Sequence, residues 1–196
     1  MVIDPKIVMQ LRAQTGAGMM DAKRALEEAH GDLTAAAEFL RKQGLVKAGK
    51  KSDRATHEGL VHSYIHSNGK VGAMVEVLCE TDFVARTEQF QRFVHDISMQ
   101  VAAANPLYVS SADVPAELLE KERELARHEF EGSGKPTQVI DKIVEGKLEK
   151  YYADACLLNQ PFIKDEDITI ETHVKDTIAK LGENIQVRRF ARFSLE

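Results

Sequence analysis

The chain has 196 residues, of which 43% are apolar and 29% charged, with a formal net charge of −5. That length supports a real core in one or two domains, and that composition excludes collagen-like, fully disordered and disulfide-scaffold classes. The acidic balance argues against a general nucleic-acid binder, and two cysteines, Cys79 and Cys156, are too few for a disulfide framework.

The first fifty residues read as a helical unit. Ile3, Ile7 and Leu11 recur at four-residue spacing, which puts them on one helix face. Asp4 suits the N-cap and Pro5 the first helical position, where a missing N–H costs nothing. Thr15-Gly16-Ala17-Gly18 breaks that helix. A second helix is expected from Met20 to His30, with Ala22, Ala25, Leu26 and Ala29 inward. Gly31 follows its end, and Asp32 caps a third helix. That helix is expected to reach Gln43, with Leu33, Ala36, Ala37 and Leu40 inward, and to stop at Gly44. Residues 46–56 hold Lys47, Lys50, Lys51 and Arg54 among small residues and read as a basic linker. The charge changes sign here: residues 1–54 carry ten basic and seven acidic side chains, and the remainder is acidic.

Two strand-like segments follow, His57–His66 and Lys70–Glu80, joined by Ser67-Asn68-Gly69, a strong hairpin signal. In the second strand Val71, Ala73, Val75, Val77 and Cys79 share one face, with Met74 and Leu78 on the other, so both faces need cover. Thr81 suits an N-cap. From Asp82 to about Ala104 the apolar residues Phe83, Phe90, Val94, Ile97 and Val101 form a seam that Asn105-Pro106 ends. A charged helix is expected over residues 115–131, closed by Gly132-Ser133-Gly134. Another runs from Pro136 to Asp154 with Val139, Ile143 and Leu148 inward. A loop through Gln160-Pro161, the acidic stretch Asp165-Glu166-Asp167, a short helix ending at Gly182 and a last strand over Asn184–Phe193 complete the chain. The fold class is α+β: a three-helix module (1–45), the linker (46–56) and a core (57–196) with a three-stranded antiparallel sheet packed by helices.

Few residues carry chemistry. Thr15–Gly18 precedes a helix, as phosphate loops do, but lacks the preceding strand and the Gly-Lys pair. His62, Tyr64 and His66 share a strand face near His57, yet no Cys or carboxylate joins them at metal-site spacing. No histidine lies in a nucleophile motif with Ser or Cys. Met19 and Met20 are either core fillers or an adaptable contact surface. Phe83 either continues the seam or projects beyond the start of its helix. No run has the length and hydropathy of a membrane helix and no signal peptide is visible, so a cytoplasmic location without membrane contact is expected.

The stretch from Leu11 to Leu26 (Leu-Arg-Ala-Gln-Thr-Gly-Ala-Gly-Met-Met-Asp-Ala-Lys-Arg-Ala-Leu) resembles the N-terminal signature of the elongation factor Ts family. The stretch Glu76-Val77-Leu78-Cys79-Glu80-Thr81-Asp82-Phe83-Val84-Ala85-Arg86 resembles its second signature, and Asn105–Tyr108, Gly182–Ile185 and Arg188–Phe190 match further family stretches in order. Leu78 departs from the Asn or Val more frequent there. The resemblance implies a ubiquitin-associated-like N-terminal module and a short form with one core subdomain. It further implies a nucleotide-exchange function toward elongation factor Tu, with no bond chemistry, no cofactor and no direct nucleic-acid contact. In the family the Thr-Asp-Phe-Val motif acts beside the partner's Mg²⁺, which here implies Thr81, Asp82, Phe83 and Val84. Arg12, Met19 and Met20 are the implied partner contacts. A homodimer through the sheet is implied, with Val71, Val75 and Val77 as candidates. The competing reading is a helical adaptor that binds peptides or ubiquitin-like partners through residues 1–45. An enzyme dependent on the histidines or Cys156 ranks third.

Overall fold

The computed structural model describes residues 3–130 and 135–195. The expected helix break at Gly132-Ser133-Gly134 lies outside them. The chain divides into two compact units. The first comprises Met1–Leu60, Val77–Phe93 and Thr172–Gln186, and the second Val61–Glu76, Val94–Glu171 and Val187–Glu196.

In the first unit, α1 (Pro5–Thr15), α2 (Met19–Glu28) and α3 (Leu33–Gly49) form a helical bundle. Asp4 caps α1 by accepting from the Lys6 N–H, and Asp32 caps α3 by accepting from Thr34 and Ala35. Gly16 ends α1 at φ 70°, a left-handed conformation that costs glycine no Cβ clash. The bundle core is Val8, Leu11, Ala22, Ala25, Leu26 and Ala36, flanked by Ile3, Ile7, Leu33 and Leu40. The expected stop at Gly44 does not occur, because α3 continues through it to Gly49. A Cβ at Gly44 would lie 2.9 Å from the Ala179 Cβ. The glycine therefore permits close helix packing rather than terminating a helix. Ala179 belongs to α8 (Ile170–Leu181), which Arg41 also meets through Asp176 at 3.5 Å.

The main sheet has the order β1 (Glu58–Ile65), β2 (Val71–Cys79), β5 (Ile185–Ser194). β1 and β2 form the expected hairpin. β2 and β5 run antiparallel: Lys70 accepts from the Leu195 N–H at 3.0 Å, and six residues further along β2 Glu76 meets Arg189. Burial along β5 changes register at Arg188-Arg189, both exposed, as in a β-bulge. Both arginines bind the Glu76 carboxylate, at 2.7 and 2.5 Å, and together they hold it below the usual carboxylate range.

β2 alternates as expected, and its inner face is filled by this chain alone: Val75 is 1% exposed and Val77 is fully buried. That corrects the expectation that Val75 and Val77 face a dimer partner; Val71 is half-buried. The exposed face instead carries Val61, Ile65, Met74 and Phe193.

The expected helix from Asp82 is two helices, α4 (Asp82–Ala85) and α5 (Glu88–Ala104). Phe90, Val94, Ile97 and Val101 form the buried seam of α5. In the second unit α6 (Ala116–His128) and α7 (Thr137–Ala155) pack through Ala126, Val144 and Leu148. Val139, expected inward, is 44% exposed; the seam passes through its neighbour Ile140. Two short strands, β3 (Pro161–Phe162) and β4 (Asp165–Thr169), lie where a loop and an acidic stretch were expected. A buried amide pair fastens them. Gln100 donates to the Gln160 side chain at 3.2 Å and to the Pro161 carbonyl at 3.1 Å, and accepts from the Ile163 N–H at 2.9 Å.

Candidate functional site

The end of β2 turns into α4 at Glu80-Thr81. Thr81 is extended, at φ −131° and ψ 154°, and its hydroxyl accepts from the Val84 N–H at 3.4 Å, so it caps the four-residue helix. Asp82 sits in the first turn, where the helix dipole favours an anion, and pairs with Arg86 at 2.8 Å. Val84 and Ala85 turn inward, half-buried and buried. Phe83 points the other way and is 78% exposed. Its seven-residue spacing from Phe90 suggested a common seam. The break at Arg86-Thr87 rotates the two apart, because the Thr87 hydroxyl accepts from the Phe90 N–H at 3.2 Å and starts a new helix. An aromatic side chain with so much surface in water is the feature of this segment that packing does not explain.

The underside of the segment is polar and well connected. Glu183 accepts from the Thr81 N–H at 3.0 Å and from its hydroxyl at 2.6 Å. Asn184, 2% exposed, donates its backbone N–H to Glu80 at 2.6 Å and its side-chain amide to the Ser52 and Arg54 carbonyls at 3.1 and 2.7 Å. Sequence spacing gave no sign of these partners, which lie about a hundred residues downstream of Glu80 and Thr81. The matched stretch Gly182–Ile185 was the one available pointer. Cys79, adjacent to Glu80, is fully buried. Burial first, and then the Glu183 charge, pushes its thiol up to about 11, so it is inert at neutral pH.

The other sequence candidates lie on α1 and α2. Met20 is 74% and Met19 47% exposed, so both are surface residues rather than core fillers. Arg12 lies over the intervening loop, its Nε donating to the Ala17 carbonyl at 3.1 Å. Near this loop the cations Arg41 and Lys47 are paired with Asp176 and Asp21, which leaves them poorly placed to hold a phosphate.

The histidine face of β1 gained one partner that the sequence did not reveal. His62 Nε2 lies 3.1 Å from His95 Nδ1, and Tyr64 hydrogen-bonds to His66 at 3.1 Å. Among the described residues no three or more metal-ligating side chains converge, and no helix is long and apolar enough to cross a membrane.

The family model described as Elongation factor TS matches residues 40–177. The chain is 54% identical over 194 residues to the elongation factor Ts of Carboxydothermus hydrogenoformans, covering 99% of this chain and 89% of that one. It is 55% identical over 192 residues to that of Caldanaerobacter subterraneus subsp. tengcongensis, covering 98% and 96%. It is 53% identical over 195 residues to that of Fervidobacterium nodosum, covering 100% and 99%. With the family match spanning most of the chain and relatives aligned almost end to end, the chain belongs to the elongation factor Ts family of translation factors.

Proposed function

We propose that the chain promotes nucleotide release from elongation factor Tu, and that Phe83 is the group that disturbs the partner's Mg²⁺ site. The observation that carries this reading is the exposure of Phe83 at the start of a capped helix, within the stretch that resembles the family's exchange motif. An exchange factor makes and breaks no covalent bond. It binds the nucleotide-free partner better than the loaded one, and the coupling is reciprocal. Mg²⁺ demands near-ideal octahedral geometry, so a small displacement of its surroundings weakens the hold on the nucleotide.

The roles divide among the four motif residues. Phe83 enters an apolar slot of the partner. Thr81 and Asp82 fix the start of the helix that directs it, and Val84 anchors the helix from below. Accelerating release by about 10⁴ requires roughly 5.5 kcal/mol of differential binding. Truncating a buried aromatic anchor costs about 2–4 kcal/mol, so Phe83 supplies a large share and other contacts the rest. Arg12, Met19 and Met20, on the 1–45 module, grip the partner's G domain. Methionine suits that role because its flexible, polarisable side chain adapts to a surface.

The homodimer implied by the resemblance would use the exposed sheet face of Val61, Ile65, Met74 and Phe193. Glu76 offsets one of the two positive charges of Arg188 and Arg189, which leaves a single net positive charge on the face. A second copy then brings an identical apolar surface across a two-fold axis. Sedimentation of the wild type against a Val61→Glu, Phe193→Glu double variant tests this. A dimer dispersed by the substitutions is expected, and a wild-type monomer contradicts it.

The function is tested by stopped-flow release of fluorescent GDP from elongation factor Tu. Marked acceleration by the wild type is expected, and no acceleration contradicts the reading and returns the adaptor alternative. Deleting residues 1–50 is expected to weaken the complex; unchanged affinity refutes the grip assigned to the N-terminal helices.

A further inference from the structure

Helix α4 is too short to hold itself, since a single turn orders its residues for very few backbone bonds. Its apolar anchorage is one buried alanine, Ala85, and a half-buried valine. What fixes its direction must therefore come from polar contacts at its start, and Glu183 and Asn184 supply them. The Glu183 carboxylate takes both donors of Thr81, one oxygen for each. Donation of the hydroxyl proton to Glu183 leaves the Thr81 oxygen free to accept from Val84, so the clasp and the cap are compatible. Asn184 spends both side-chain amide protons on the Ser52 and Arg54 carbonyls and its backbone N–H on Glu80. Lys51 closes the arrangement by donating to the Gly182 carbonyl at 2.6 Å.

Resting on the exchange reading above, we propose that Glu183 and Asn184 are positioning residues: together they fix the direction in which Phe83 leaves the chain and tie it to the segment that follows α3. All these residues belong to the first compact unit, as do Arg12, Met19 and Met20. The two surfaces assigned to the partner are thereby held on one frame. Loss of the clasp misdirects Phe83 while leaving the grip on the partner in place, so it lowers the rate of release more than the affinity.

The experiment measures GDP release from elongation factor Tu at increasing concentrations of the full chain. Glu183→Ala is expected to lower the saturating rate about tenfold or more, the rate equivalent of one charge-assisted hydrogen bond. The half-saturating concentration is expected to stay within about threefold, since grip and direction are separate contributions. Glu183→Gln keeps an acceptor for the Thr81 hydroxyl and is expected to recover part of the rate. In a Phe83→Ala background, Glu183→Ala is expected to add less than about twofold, because nothing is left to direct. A full saturating rate for Glu183→Ala, or an equal loss in both backgrounds, overturns the proposal. Hydrogen exchange of the Thr81 and Val84 amides reads the clasp without any partner. Faster exchange in Glu183→Ala is expected, and unchanged exchange overturns the clasp whether or not the exchange reading stands. If the wild type fails to accelerate release while those amides do loosen, the exchange reading alone has failed. Should Glu183→Ala not fold, Glu183→Gln, which leaves the Thr81 cap intact and gives up one of the two acceptors, is read the same way with a smaller effect.

Discussion

Helices α4 and α5 follow one another in the chain and begin alike, each behind a threonine that caps the first turn, yet different forces hold them. In α5 the residues Phe90, Val94, Ile97 and Val101 are all fully buried. Its position is set by apolar area, a force without direction but large in sum. α4 has four residues and is held by hydrogen bonds from Thr81 to Glu183 and within its cap. Such bonds contribute modestly to stability and strongly to orientation. The difference separates two phenylalanines seven residues apart: Phe90 is buried in the fold, and Phe83 is left in water. A short helix fixed by directional bonds can present an aromatic ring to water without drawing it into the core.

That contrast breaks most visibly at Phe90. Phe90→Ala is expected to destabilise the chain by about 3–5 kcal/mol through lost burial and a residual cavity, measured by denaturant unfolding. A cost below about 1 kcal/mol would show that the α5 seam is not what fixes that helix. Phe83→Ala is expected to cost less than about 0.5 kcal/mol in the same assay, as for an exposed side chain. Thr87→Ala sharpens the comparison at the junction. Loss of its cap on Phe90 is expected to cost about 1 kcal/mol. It should also let the chain between the two helices straighten, seen as altered amide exchange at residues 86–90. The smallest effect concerns pH and lies away from both helix starts. Burial, and then the charge of His95, hold His62 below its ordinary value of 6.5. The folded chain therefore binds fewer protons than the unfolded one between the folded value and 6.5, and stability falls as pH drops through that window. His62 is only partly buried, so the slope is expected to be shallow, and His62→Gln is expected to flatten it further. A slope unchanged by His62→Gln assigns the pH dependence elsewhere.

The fold was legible where its causes are local. Asp4, Asp32 and Thr81 declare helix starts because a short polar side chain reaches its own backbone. The Asn-Gly turn and the alternation of β2 declare the hairpin and its inner face. What stayed hidden depends on distant partners. Gly44 reads as a stop until Ala179 is seen beside it. β3 and β4 carry no alternation, and their fastening by Gln100 and Gln160 joins residues about sixty positions apart. Val75 and Val77 looked like an open face because nothing in a strand's own pattern says whether its chain supplies the cover. The segment Thr81–Val84 was legible as a motif and as a capped helix start. The exposure of Phe83 was not, since the break at Thr87 is masked by an unbroken apolar period. The stretch Gly182–Ile185 stood out as family-like, but the roles of Glu183 and Asn184 were hidden, since they rest on bonds across about a hundred residues.

The most direct test pairs two measurements on one variant. Phe83→Ala is placed in stopped-flow release of fluorescent GDP from elongation factor Tu and, from the same preparation, in thermal unfolding. The account predicts an unfolding transition matching the wild type and a stimulated release rate lower by about thirtyfold or more, the equivalent of roughly 2 kcal/mol of lost anchor contact. A stimulated rate equal to that of the wild type, in a variant that folds normally, would contradict the claim that the exposed phenylalanine drives nucleotide exchange.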